Sequence, residues 1–167
     1  MPAGLQITKP HFVARDARPY LGIAATVTMQ TIGDHADRLF PELFAWFAAR
    51  GIKPAATSFI KYNFIGMSHG PEIEIAAPVE KAIAGDGHVK AGTLPAGRYA
   101  THRHFGGFDG LKTTTGALFD WISAQNLASD TDENSRWAAR LETCHTDPLA
   151  EPDETKWETE VACKIAD

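Results

Sequence analysis

Two short stretches of the chain, PEIEIAAPVE at 71–80 and KWETEVACKI at 156–165, follow one plan. Glu72 and Glu74 recur as Glu158 and Glu160, and Ala76 as Ala162, each 86 residues later. The segments ahead of them repeat too. LFAWFAARGI (43–52) aligns with LFDWISAQNL (118–127), sharing Leu, Phe, Trp and Ala at an offset of 75. Only 4 Trp occur in the chain, so the match of Trp46 with Trp121 carries weight. Tyr20 and Tyr99 sit 79 residues apart, each near the start of a strand-like run. The offsets differ by loop-sized insertions, as in a diverged duplication. Two like units of this kind pair their sheets across an approximate twofold axis, and ligand sites favour the interface so made.

The periodicity within each unit sets the element order. Residues 19–29 are β-branched and small, and read as a strand. Leu39, Phe40, Leu43, Phe44 and Phe47 then follow helical spacing, with Asp34 as the expected N-cap and Gly51 as the stop. Pro41 is awkward inside this helix and predicts a kink or a restart. A strand is expected over 56–67. A second strand over 72–79 alternates Ile73, Ile75, Ala77 and Val79 on one face with Glu72, Glu74 and Ala76 on the other. After a connector with a short strand near HVKAGTL, the order returns: a strand at 97–105, then a helix through Leu111, Thr115, Leu118, Phe119 and Ile122. Strands at 136–145 and 157–165 close the chain. The expected fold is α+β: duplicated β-α-β-β units forming antiparallel sheet, two main helices, and a cleft between the halves. An irregular N-terminal arm is expected over 1–17, ahead of one domain over 18–167 whose repeats span about 18–80 and 97–166.

With 167 residues and 44% hydrophobic content the chain can bury a sizeable core. A net charge of −5 with scattered basic residues argues against direct nucleic-acid binding, which depends on neutralising phosphates. No apolar run approaches the roughly 20 residues that span a bilayer, and MPAGLQITKPHF lacks the apolar core of a signal peptide, so a cytoplasmic location is expected. Cys144 and Cys163 are expected to be reduced and buried.

The local motifs strengthen the pattern. PEIEIAAPV, LPAGRYATHRHFGGFDGLKTTTGALFDWI, WAARLETCHTDP and KWETEVACKI together resemble the GyrI-like small-molecule-binding family over about residues 18–166. That family includes the effector-binding domain of bacterial multidrug-sensing transcription activators and is related to the SOUL haem-binding fold. The resemblance implies an apolar and aromatic cleft between the halves. It also implies a buried acidic residue that holds hydrophobic, aromatic or cationic ligands, and the matching position is Glu142. Two places later, where the family usually carries an aromatic residue, stands Cys144, followed by His145.

Alternation over 136–145 puts Arg136, Ala138, Arg140, Glu142 and Cys144 on one strand face, and Trp137, Ala139, Leu141, Thr143 and His145 on the other. A carboxylate in a desolvated cleft has a raised pKa unless a cation pairs with it, and then serves as a cation anchor or as a general base. The bland alternative is a surface Glu142 paired with Arg140. Tyr62 and Tyr99, mid-strand in the two halves, are candidate hydroxyl donors, and Trp137 and Trp157 candidate stacking surfaces. Phe59 and Phe105 complete the expected lining, and Glu142 with Tyr99 forms the candidate catalytic pair. Trp46 and Trp121 read as structural. His102 and His104 share a strand face and read as a polar edge rather than a metal site; no metal or other cofactor is expected.

Three functions follow as expectations: a stand-alone small-molecule binding protein, a hydrolase opening electrophilic cyclopropane-bearing compounds through the pocket Glu, or a gyrase-inhibitor-type interaction protein. The expected partners are a small ligand, a second copy of the chain, gyrase or a separate DNA-binding regulator. About 17 residues precede the first expected strand, too few for a helix-turn-helix domain of its own.

Overall fold

A computed structural model describes residues 9–28, 30–66, 70–107, 110–134, 136–146 and 150–166. Eight strands and two helices follow in the order β1 (His11–Arg15), β2 (Arg18–Thr26), α1 (Ile32–Ala49), β3 (Phe59–Gly66), β4 (Gly70–Pro78), β5 (Val89–Leu94), β6 (Gly97–Phe105), α2 (Leu111–Ala124), β7 (Arg140–Cys144) and β8 (Glu158–Lys164). The strands form one curled antiparallel sheet in the order β1-β6-β8-β7-β3-β4-β2-β5.

The register confirms the duplication residue by residue. Tyr20 of β2 lies opposite Gly92 of β5 and Pro78 of β4. Tyr99 of β6 lies opposite Val13 of β1 and Lys164 of β8, the same positions displaced by the same offsets. The inward stripe of α1 is Leu39, Leu43 and Phe47, and that of α2 is Thr114, Leu118 and Ile122, each 75 residues on. Both helices end alike. Gly51 and Asn126 adopt left-handed conformations at φ 65 and 58, and the next amides, of Ile52 and Leu127, donate back to the carbonyls of Phe47 and Ile122.

Residues His11–Arg15, expected within an irregular arm, form β1. This strand precedes β2 in sequence but pairs with β6 of the other half, while β5 precedes β6 but pairs with β2. Each repeat is therefore β-β-α-β-β with its first strand exchanged across the molecule. Gly92 is required at this pairing: a Cβ there would lie 2.4 Å from the Tyr20 ring.

Pro41 does not break α1. It sits on the exposed face with Asp37, whose carbonyl loses its helical donor to water rather than to a dry core. Thr31, not Asp34, stands at the N-cap; Asp34 lies in the first turn, where its charge suits the helix dipole.

Both helices pack on one face of the sheet, α1 over β2 and β4, α2 over β6 and β8. The α1 side is a hydrophobic cluster that also takes in Tyr62, and in it Leu21, Leu43, Ile73, Ile75 and Ala77 are completely buried. The α2 side is smaller and is built on Leu118, Ile122, Val161, Cys163 and Ile165. The opposite face carries a third cluster, including Tyr20, Phe59, Tyr99 and Leu141. Beside it lie the four repeated glutamates, in ion pairs rather than in open solvent: Arg136 with Glu72 at 2.5 Å, Lys61 with Glu74 at 3.5 Å, Arg15 with Glu160 at 2.8 Å, and Arg103 with Glu158.

Candidate functional site

The central strands β3 and β7 form the floor between the two helices, and here the halves meet. Phe59 opposes Ala76 within the first half, as Leu141 opposes Ala162 in the second, so β3 maps on β7 with Ile60 equivalent to Glu142. These two residues are themselves partners across the junction, flanked by Phe59–Thr143 and Lys61–Leu141. The pseudo-twofold axis thus passes between an isoleucine and a glutamate.

Glu142 also opposes Val161 of the α2 core, which fixes its side chain on the helix-covered face. The hydroxyl of Tyr62 donates to its Oε1. Burial pushes the Glu142 carboxyl above its usual range, against the opposing pull of the Tyr62 hydrogen bond and of the Arg140 and His104 charges. Burial and the adjoining Glu142 likewise push the Tyr62 hydroxyl well up, so it remains a donor.

Arg140 lies two residues earlier on the same face. Its guanidinium stands 5.2 Å from the centroid of Tyr62, 5.0 Å from Phe119 of α2 and 4.5 Å from Trp137. The arrangement is an aromatic cage, with each ring inside the roughly 6 Å over which a cation is attracted to a π face. Between α2, β7 and β8 a crevice lined by Leu118, Phe119, Arg140, Glu142 and Cys163 has a volume of only about 10 Å³. That is room for one water molecule at most.

A larger cleft of about 390 Å³ lies at the adjoining edge, between Lys61, Asn63, Asp130, Asp132, Arg136 and Trp137. Its charges are already engaged: Lys61 and Arg136 with the sheet glutamates, and Asp130 with Lys164 at 2.7 Å. Its cations are thus held by the sheet glutamates, whereas among the described residues no ion pair holds the Glu142 carboxyl.

Of the residues singled out in the sequence, Glu142, Tyr62 and Trp137 come together. Tyr99 does not. It lies on the opposite sheet face with its hydroxyl on the Pro95 carbonyl at 2.7 Å, its pKa pushed up by burial to about 12, so the expected catalytic pair with Glu142 does not form. Phe59 is on that same far face, edge-on to Tyr20 at 5.6 Å. Phe105, opposite Glu158, and Trp157, whose indole donates to the Glu151 carbonyl at 2.7 Å, stand at the far end of the β6–β8 pair. Trp46 stacks on Arg50 and Trp121 on Phe12. His102 and His104 are buried rather than on a polar edge, and the His104 ring reaches Thr114 Oγ1 and the Gly107 carbonyl, each at 2.8 Å. Among the described residues no group of three or more His, Cys, Asp or Glu is placed to hold a metal. Neither cysteine is in a disulfide; Cys163 is buried and Cys144 half-buried. Phe119 and Arg140 were visible in the sequence only as a helix residue and as a counter-ion.

Comparison with known proteins agrees with this geometry. No curated protein sequence matches the chain significantly. The EcmrR C-terminal domain superposes with a TM-score of 0.80 at 15% identity, covering 95% of this chain and 97% of that one. EcmrR in its DNA complex gives 0.79 at 15% identity over 94% of this chain, which spans 57% of the EcmrR chain. SAV2435 bound to tetraphenylphosphonium gives 0.64 at 12% identity, covering 95% and 94%. At these identities the likeness is one of fold. The sequence pattern of the GyrI-like small molecule binding domain matches residues 8–165, and the chain belongs to that family.

Proposed function

We propose that the chain binds a small aromatic cation in the cleft between α1 and α2, with Glu142 as its charge partner. The observation that carries this reading is a half-buried carboxyl on the pseudo-twofold axis, hydrogen-bonded by Tyr62 and two residues along β7 from an arginine ringed by Tyr62, Phe119 and Trp137. A buried acid is costly to keep unless something uses it. Here an arriving cation replaces the missing solvation, the carboxyl ionises, and the rings of Tyr62, Phe119 and Trp137 supply flat apolar and cation–π contact. SAV2435, of like fold, is a protein bound to such a cation, tetraphenylphosphonium.

The test is a titration of wild type and Glu142→Gln with tetraphenylphosphonium, followed through tryptophan fluorescence. Saturable quenching is expected in the wild type. In the variant, affinity falls roughly ten- to a hundredfold, the worth of an interaction with a charged group. Equal affinity in both proteins contradicts the reading.

The Tyr62–Glu142 hydrogen bond also favours a second reading, in which the pair works as acid and base on a bound electrophile. A protein of like fold, with a TM-score of 0.64 and 9% identity over 95% of this chain, is a hydrolase from Listeria innocua. Incubation with cyclopropane-bearing electrophiles and mass analysis decides it. A product heavier by one water, absent with Glu142→Gln, supports hydrolysis; unchanged compounds leave a binding protein.

A further inference from the structure

The cage is already occupied. Among the described residues, no hydrogen bond or ion pair holds the Arg140 guanidinium; its contacts are the three rings. Arg140 is half-buried, and the π faces rather than acceptors hold its guanidinium in place. The crevice beside it is too small for any ligand while Arg140 lies there. Among the described residues the first half has no counterpart. Under the β3–β7 correspondence Arg140 maps to Ser58, and Phe119 maps to Phe44, which is 40% exposed with no cation over it.

We infer that Arg140 is an internal cation that fills the aromatic cage in the empty protein, and that a cationic ligand binds by exchanging with it. This rests on the proposed cation site and adds how that site is gated. At the rings one positive charge leaves as another enters, so they are not left bare in either state. Arg140 stands on the β7 edge nearest the loop that carries Trp137, and its long side chain can extend into solvent when displaced. The ligand must therefore outcompete a tethered cation, and only the fraction of molecules with Arg140 withdrawn can bind. Arg140 thereby sets the affinity threshold, and the rings set the preference: a monocation with flat aromatic groups restores the cation–π contact that Arg140 gives up, whereas a neutral compound leaves the rings without a cation.

The test uses the full chain, tetraphenylphosphonium as the cationic probe and triphenylphosphine oxide as a neutral probe of similar shape. Affinities are measured for wild type, Arg140→Met, Arg140→Lys and Glu142→Gln. Removing the internal cation in Arg140→Met is expected to tighten tetraphenylphosphonium binding by about tenfold or more. Arg140→Lys, which keeps a charge, is expected to remain within a few-fold of wild type. The neutral probe is expected to bind more weakly than the cation in every protein and to tighten by a similar factor, because the withdrawn fraction belongs to the protein and not to the ligand. In wild type, the Arg140 side-chain proton signals are expected to be ring-current shifted and to move toward solvent values as the cation is added. Unchanged or weaker cation binding in Arg140→Met, with binding still lost in Glu142→Gln, overturns the exchange while leaving the cation site standing. Tightening in Arg140→Lys as large as in Arg140→Met also overturns it, because the charge at this position would then not matter. Absence of binding in every variant overturns the cation site itself, and the exchange with it.

Discussion

The two halves share a backbone and differ in what they bury. In the first, the helix-covered face is apolar apart from the Tyr62 hydroxyl at the junction: Ile23, Ala25, Leu39, Ile60 and Ile73 pack in or against one cluster. At the equivalent positions the second half carries His102, His104, Thr114, Glu142 and Thr159. Four of these are fully buried polar residues and the fifth is the axis carboxyl. A core gains nothing from such replacements, since buried polar groups at best recover by hydrogen bonding what they lose in desolvation. Their concentration in one half, next to the axis, separates the two copies into a scaffold and a site. The contrast also explains why the site is off-centre, with its cage rings Phe119 and Trp137 drawn from the second half and only Tyr62 from the first.

Core truncation sharpens this contrast most. Leu43 and Leu118 are equivalent, and both are buried. Leu43→Ala in the dry first core is expected to cost about 3–4 kcal/mol by chemical denaturation, and Leu118→Ala about 2 kcal/mol, because the crevice beside Leu118 relaxes or takes up water. Equal losses would break the distinction between scaffold and site.

Next comes the axis residue. Glu142→Gln keeps an acceptor for Tyr62 and removes a buried ionisable group. Because burial raises the Glu142 carboxyl in the fold, the folded protein holds that proton more tightly than the unfolded chain. The stability this contributes is fully present below the unfolded carboxylate range and is lost as pH rises through the raised value. Glu142→Gln should thus melt a few degrees higher than wild type at neutral pH, and the difference should shrink on acidification. Cation affinity should show the opposite trend, strengthening in the wild type as pH rises and Glu142 ionises. A variant that melts lower at every pH would mean that the carboxyl is structural.

A smaller effect is expected at Thr114, the polar counterpart of Leu39. Thr114→Val removes the hydroxyl beside His104 Nδ1 and should cost about 1–2 kcal/mol, because a buried ring nitrogen loses its partner. The smallest belongs to the far sheet face. Arg15→Ala breaks the pair with Glu160, and a loss below about 1 kcal/mol is expected, since both side chains keep contact with water.

Much of this was legible in the sequence. The offsets of 79, 75 and 86 residues reappear as the registers of β2 and β6, the inward stripes of the helices, and the registers of β4 and β8. Local patterning carried that information, because each copy keeps its own alternation. The exchange of β1 and β5 was not legible. HFVAR is five residues long with no clean alternation, and its partner lies some ninety positions away, at Thr101 for His11. Facing was the other gap. Alternation groups residues on a strand but does not say which group meets the helices; only register does. Tyr99 and Phe59 therefore lie on the sheet face away from the helices, and His102 and His104 are buried rather than peripheral. Arg140 read as an ordinary counter-ion because a cage of rings from β3, α2 and the segment before β7 exists only once the halves are joined.

The central claim is that the glutamate on the axis, its carboxyl pushed up by burial, is the charge partner of a bound cation. Calorimetric titration of tetraphenylphosphonium at mildly acidic pH, repeated in buffers of different ionisation enthalpy, counts the protons released on binding. A buried acid that ionises against the ligand releases up to about one proton from the wild type and none from Glu142→Gln. The same proton count and the same affinity in both proteins would contradict the claim.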